Sequence, residues 1–393
     1  MAEPTKPVDR HAFQIAIICA LEKESKTADA FLEEHFDSAD YGKEEGDRNI
    51  YTLGRIASYN VVLVHLPGPG KTVAATAATS LGFSFRNIKL ALVVGVCGGV
   101  PKIHEGKAIV LGDIIISTGL VQYDMGRQYP TKRIKIDDIG RDLPRPTTEI
   151  LAFLAKLKSD RDELKTETAA HLDALLQEKS FEGSQFPGAH QDKLFQPTYH
   201  HKHHQMEVCN AMYVKCGPYS TCDDSRKMTC GELCCAEENL VAWRPPGAAT
   251  ETETPNIHFG RIASGDLVMK SGEHRDEIAI QEQIIAFETE GAGVWEKFNC
   301  VVIKGVGHYA DSHKNKVWQP YARATAVACT KACLKLWVGS DPEAGRRNER
   351  GGQYFYMTGE HNLAAQLGRG AFNNQQHDGA FYQGAGARYN KSA

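Results

Sequence analysis

Long apolar runs are missing from this sequence. Its most hydrophobic stretches, such as Leu90–Val96 and Lys107–Ser117, are short and interrupted by charges or glycines. A membrane-spanning helix needs about 20 consecutive apolar residues, so no membrane partner is expected. A charge excess is missing too: 45 Lys and Arg face 49 Asp and Glu, for a formal net charge of −4. Nothing in that balance draws the chain onto a nucleic-acid backbone, and a small-molecule partner fits better. A secretory leader is not visible. Polar Met1–Arg10 precedes the apolar Ile15–Leu21, and Glu22, Lys23 and Glu24 follow directly without a small-residue cleavage pattern. The expected location is the cytoplasm, a reducing compartment, where the 11 cysteines remain thiols or bind metal. A complete P-loop is lacking as well. Pro69-Gly70-Lys71-Thr72 resembles its end, but His65 stands where the first glycine belongs. A tight strand-to-helix connection is the simpler reading, although its amides could face an anion or a hydroxyl. No repeat array or NTPase module is visible, so the sequence does not support an immune-receptor-like architecture.

What is present is alternation. The 393 residues, 42% of them hydrophobic, allow one large domain or two ordinary ones. Strand-like runs are predicted at Gln14–Leu21, Lys89–Val96, Ala108–Ser117, Ile257–Ala263, Leu267–Lys270, Ile284–Glu288 and Cys300–Val306, with a hairpin at Asn49–Arg55 and Asn60–Leu66. Helices are predicted at Glu22–His35, Lys71–Phe83, Thr147–Lys158, Gly291–Lys297 and Tyr321–Val338. Such alternation implies an α/β sheet covered on both faces, with ligands beyond the carboxyl ends of the strands. Several of those ends carry glycines and acids: Ala20–Glu22, Gly95–Gly99, Glu288–Gly291 and Gly305–Asp311. Two segments stand apart from the alternation. Residues 186–255 are irregular and rich in Cys, His and Pro. Residues 339–393 are rich in Gly, Asn, Gln and Arg without apolar periodicity, the pattern of a disordered tail.

Two constellations suggest chemistry. In Phe287-Glu288-Thr289-Glu290-Gly291-Ala292-Gly293, paired acids end a strand. A carboxylate can accept two hydroxyl protons, which suits a vicinal diol; helix capping by acids is the alternative. In Gly305-Val306-Gly307-His308-Tyr309-Ala310-Asp311-Ser312-His313, a buried strand opens into a polar loop able to present a general acid.

The stretches Ile17–Glu24, Val64–Ala75, Val93–Pro101, Val110–Gly126, Pro255–Arg275, Phe287–Gly293 and Val301–Gln319 together resemble the nucleoside phosphorylase and nucleosidase superfamily, and especially its fungal nucleoside phosphorylase-like domains. The resemblance implies a three-layer α/β/α fold with a central mixed sheet over residues 12–338. It implies a nucleoside or nucleotide ligand, a homo-oligomer, and no cofactor or metal in the chemistry. It assigns Glu290 to the ribose hydroxyls, with Glu288 and Thr289 beside it and Thr289 where the family usually has Met. It puts Val268 where an aromatic residue often stacks on the base, and makes Glu24 the water-activating glutamate of the nucleosidases. Cys97 and Gly98, at the glycine-rich strand end, are expected among the substrate contacts. The family's phosphate-binding Arg and Ser in that strand end are replaced by valines, and the early loop offers Glu22 and Glu24. A phosphate dianion would meet carboxylates there, so hydrolysis of a purine-type nucleoside or nucleotide is expected before phosphorolysis.

The leaving-group acid, normally Asp, is replaced by His308. A histidine with an unperturbed pKa of about 6.5 is mostly neutral at pH 7. Three outcomes stay open: His308 acts as a cationic acid, Asp311 takes over in part, or the protein binds nucleoside with little turnover. Within residues 186–255, Cys209, Cys216, Cys222, Cys230, Cys234 and Cys235 follow His200, His201, His203 and His204. A structural zinc is one reading, with Cys230 and Cys234 closest to paired-ligand spacing. Free thiols in a surface loop are the other.

Overall fold

The computed structural model describes residues 6–129, 133–135, 143–204, 222–241, 254–313 and 316–338. The tail expected at 339–393, together with Cys209 and Cys216, lies outside the described residues. In chain order the elements begin with β1 (Ile15–Cys19), α1 (Glu22–Asp29), β2 (Glu34–Phe36), a one-turn α2 (Ser38–Tyr41), β3 (Ile50–Ile56), β4 (Tyr59–His65) and α3 (Lys71–Ser84). Next come β5 (Leu90–Gly99), a short hairpin of β6 (Ile103–His104) and β7 (Lys107–Ala108), β8 (Ile114–Gln122), and a second hairpin of β9 (Gly126–Gln128) and β10 (Arg133–Lys135). Then follow α4 (Thr148–Ser159), α5 (Arg161–Leu176), β11 (Ile257–Ser264), α6 (Gly272–Glu282), β12 (Ile284–Glu288), α7 (Gly291–Trp295), β13 (Cys300–His308) and α8 (Gln319–Leu336).

The central strands β1, β5 and β13 are apolar runs buried along almost their whole length. Strands buried on both faces read as continuous hydrophobic stretches, which is why they stand out in the sequence. The main sheet runs β12-β11-β8-β13-β5-β1-β4-β3-β2. It is mixed: β1 and β13 lie parallel to β5, whereas β13 is antiparallel to β8 and β3 to β4. One edge ends in the three-residue β2, short enough to blunt edge pairing. The other end curls round, because β12 also pairs antiparallel with β5 through Ala286–Gly99 and Phe287–Gly98. Strands β5, β13, β8, β11 and β12 thereby close into a ring, which brings the carboxyl ends of β5, β12 and β13 together.

Helices cover both faces, the layering that the resemblance implies. Successive residues of β13 point to opposite sides. Lys304 turns toward the acids at the start of α7, while Gly305 faces α8 so closely that a Cβ would lie 1.9 Å from the Ala322 carbonyl oxygen. On the other face α7 meets α3, where a Cβ at Gly293 would lie 2.0 Å from the Lys71 carbonyl oxygen. Glycine at these two sites sets the helix-to-sheet and helix-to-helix distances.

Three local expectations change. The helix predicted over Glu22–His35 stops at Asp29, because the Glu33 amide pairs with the Arg55 carbonyl and starts β2. Leu267–Lys270 is not a strand. After β11 the chain bends through Gly265 and Asp266, whose amide donates to Asp124. Helix α5 was not anticipated, although Leu164, Thr168, Leu172 and Leu175 form a buried stripe at helical spacing. No helix among the described residues is long and apolar enough to cross a membrane.

Candidate functional site

A cleft of about 180 Å³ opens where these strands end. Glu24, Cys97, Gly98, Val268, Glu288, Thr289, Glu290 and His308, far apart in sequence, all line it. Of the residues assigned from sequence, Asp311 is the one that does not. It is buried one turn beyond β13, 4.0 Å from Arg275, and its side chain accepts the His313 amide. Burial pushes its carboxyl up to about 6 against the opposing pull of Arg275. Its chemistry is thus directed into the loop and not into the cleft.

Glu24 sits in the first turn of α1. Its Oε2 accepts the Leu21 amide at 3.0 Å and the Ala20 amide at 3.2 Å, and its Oε1 accepts the Val96 amide at 3.0 Å. Part of this is the ordinary reach of an N3 glutamate back to a helix start. The Val96 bond is not: it ties the carboxylate to the end of β5, 72 residues away. Gly95 makes that approach feasible, since a Cβ there would fall 2.4 Å from the carboxylate. Burial raises the Glu24 pKa, with Lys304 and the amide bonds opposing and Glu290 adding to the rise. A buried carboxylate raised in this way is a stronger base toward water once ionised.

At the end of β12 the two acids have different tasks. The strand stops at Glu288, so Glu288 and Glu290 are not an equivalent pair on one strand face. Glu288 accepts the Glu290 amide at 3.0 Å and the Gly291 amide at 2.9 and 3.0 Å, which caps α7. Its pKa is raised, first by burial. Glu290 accepts Lys304 Nζ at 2.8 Å and the Thr289 hydroxyl. Burial works against its ionisation, but Lys304 and the hydrogen-bond donors outweigh it and hold the carboxyl below its ordinary range. The Gly70 amide, in the loop that resembles the end of a P-loop, helps to hold the Glu290 carboxyl down. Lys71 of that loop is committed to Asp124, with both oxygens at 2.7 Å.

Lys304 was missed from sequence as a site residue. It is 1% exposed, inside the otherwise apolar β13. Burial opposes its charge, yet the carboxylates of Glu290, Glu288 and Glu24 hold the ammonium protonated well above its usual value. A lone lysine in an apolar strand was the available signal, because a buried lysine requires a partner.

Arg323 is a second addition. It reaches the cleft from α8, and its buried Nε has no hydrogen-bond partner among the described residues. The strand end and early loop lack a guanidinium, as read from sequence, but the helix supplies one. Cys97 is an inert thiol, pushed up to about 12 by burial. Val268 and Leu267 are 54% and 52% exposed at the rim, so no aromatic platform occupies that position.

His308 ends β13, and its Nδ1 accepts the Ala310 amide at 3.0 Å. That bond requires a lone pair on Nδ1 and so assigns the ring proton to Nε2. In this state the ring is a neutral hydrogen-bond donor, and protonating Nδ1 would break the Ala310 bond.

Fold and site define an α/β protein whose small-molecule cleft rests on carboxylates around one buried lysine. The chain belongs to the phosphorylase superfamily, whose family model matches residues 14–295. It is 32% identical over 333 residues to a nucleotide-binding leucine-rich repeat (NLR)-like protein of Hyaloscypha variabilis, covering 82% of this chain and 29% of that protein. The chain thus spans under a third of the relative's length. Among solved structures it is similar to a mutant of Helicobacter pylori MTAN with 5′-methylthioadenosine in the active site (TM-score 0.49, 13% identity, 82% of this chain and 98% of that one). It is also similar to a Streptococcus pneumoniae MTA/SAH nucleosidase in complex with 8-aminoadenine (TM-score 0.48, 16% identity, 83% and 100%).

Proposed function

We propose that the protein binds a purine-type nucleoside or nucleotide in this cleft and hydrolyses its N-glycosidic bond. The supporting observation is the division of labour among the buried acids. Glu290, charged and fixed by Lys304, is the acceptor for the ribose hydroxyls. Glu24, held by three backbone amides, is the base for water. Glycosidic cleavage of this kind is dissociative: the sugar becomes oxocarbenium-like, water adds at the anomeric carbon, and Glu24 takes its proton. The departing base leaves with a hydrogen bond from His308 Nε2 and is protonated afterwards from solvent, to which Glu24 returns its proton. A neutral imidazole gives less help than a carboxylic acid, so turnover is slow. Leu267 and Val268 at the open rim belong with a homo-oligomer in which a neighbouring copy covers them; light scattering of the purified protein tests that state.

Two observations favour rival readings. Arg323 supports phosphorolysis, since a guanidinium in the cleft can pair with phosphate. The Ala310–His308 bond supports nucleoside binding without turnover, as would serve a signalling module. Base release from adenosine and its nucleotides, with and without phosphate, separates all three. Hydrolysis yields free ribose at a rate indifferent to phosphate. Ribose 1-phosphate with phosphate-dependent release, lost in Arg323→Ala, would establish phosphorolysis. A rise in thermal stability with nucleoside but no free base would leave binding alone.

A further inference from the structure

Outside the cleft, the loop after β13 meets the Cys/His-rich insertion in a compact cluster. His201 and His313 are 6% and 7% exposed. One ligand atom each from His201, Cys235 and His313 lies within 4.8 Å of the other two. His201 Nδ1 is 3.6 Å from Cys230 Sγ and 3.7 Å from Cys235 Sγ. Zinc–sulfur and zinc–nitrogen bonds of about 2.3 and 2.0–2.1 Å in a tetrahedron place S and N roughly 3.6 Å apart. The two thiols already sit at the edges of such a figure.

Three further features point the same way. His201 Nε2 is 3.0 Å from the Met228 carbonyl oxygen. A carbonyl can only accept, so that nitrogen carries the proton and Nδ1 turns a lone pair toward the thiols, the arrangement expected of a metal-ligating histidine. His313, stacked on Phe195 with ring centroids 4.0 Å apart, has no hydrogen-bond partner at either ring nitrogen among the described residues. A buried imidazole left in that state is unfavourable, and a bound ion would satisfy it. Finally, a turn in which the Cys235 amide donates to the Cys230 carbonyl brings these two cysteines together, while Cys234 adopts positive φ and is exposed. The pair legible in the sequence, Cys230 and Cys234, is therefore replaced by Cys230 and Cys235.

We propose that His201, Cys230, Cys235 and His313 form a structural zinc site that fastens the insertion to the loop following His308. Two thiolates and two imidazoles in tetrahedral array suit zinc better than the harder divalent cations. The two halves of the site come from distant sequence: His201, Cys230 and Cys235 belong to the insertion, whereas His313 belongs to the loop after β13. The His201 amide, which donates to the Ser312 hydroxyl at 3.0 Å, seats one half on the other. A bound ion would make the insertion a brace for the segment that carries His308, and this holds whether or not the cleft turns over nucleoside.

Metal analysis of the full chain, purified without chelator from zinc-containing medium, tests the proposal. About one zinc per chain is expected, falling below roughly a tenth in Cys230→Ser/Cys235→Ser and unchanged in Cys234→Ser and Cys222→Ser. The wild-type chain loaded with cobalt should show thiolate-to-metal charge transfer and tetrahedral ligand-field bands, so the proposal does not depend on the double variant folding. His313→Gln should retain the thiolate band but weaken metal affinity by about tenfold or more. A wild-type chain that neither contains zinc nor takes up zinc or cobalt overturns the site. Unaltered affinity in His313→Gln overturns the brace, and a cobalt spectrum without thiolate character overturns the ligand set.

Discussion

The ends of β12 and β13 meet at one cleft and treat their polar residues differently. At the end of β12, Glu290 is buried, charged and bound to Lys304 and Thr289. At the end of β13, His308 is half-buried and spends its Nδ1 on the neighbouring Ala310 amide. The first end is held by the chain's own contacts, the preorganisation that the proposed binding of ribose hydroxyls would use. The second is arranged to keep an imidazole neutral. Under the proposed function, the contrast makes holding a sugar and helping a base to leave separable tasks at this cleft.

The largest expected effect removes the base that both ends serve. In Glu24→Gln, base release should fall by about 10²- to 10⁴-fold, the usual weight of a general base, while nucleoside still raises the melting temperature. Undiminished release would remove Glu24 from the mechanism. Next, Glu290→Ala leaves Lys304 beside raised-pKa acids without its charged partner. Breaking a buried pair in this way costs about 3–5 kcal/mol, measurable by denaturant unfolding. A loss under 1 kcal/mol would show that the β12 end is not preorganised by charge.

His308→Asp addresses the other end. Turnover with adenosine should rise about tenfold or more if the neutral ring limits leaving-group departure, whereas a fall would identify His308 as the working acid. The smallest effect is a matter of pH. Burial raises Glu24, so its base form is lost as pH falls through a value above that of an ordinary glutamate near 4.3. The acid limb of kcat should therefore lie higher than about 4.3 and disappear in Glu24→Gln. A limb at the ordinary value would mean that another group carries it.

Legibility followed locality. Glu288, Thr289, Glu290 and His308 could be picked out because each sits in a short motif at a strand end, where such sheets bind ligands, whereas Glu24 was read only through the family resemblance. The unequal roles of Glu288 and Glu290 could not, because they depend on the strand stopping at Glu288 and on amides of α7. Asp311 was one candidate to take over in part from His308, yet the turn after β13 directs it toward Arg275. The insertion had the reverse fate: its cysteines were visible, but the partner His313 lies over a hundred residues from His201.

By itself, then, the sequence determined most of the order of the core strands and helices. Apolar runs and helical periodicity are properties of consecutive residues, and their burial preferences hold in any arrangement that provides a core. The tertiary structure alone decided the closure of the ring through β12 and β5, the buried lysine beneath the acids, the arginine entering from α8 and the His201–His313 cluster. Each of these brings together side chains from elements distant in the chain. Their charges and lone pairs acquire meaning only when packing excludes water and fixes which partner is within reach.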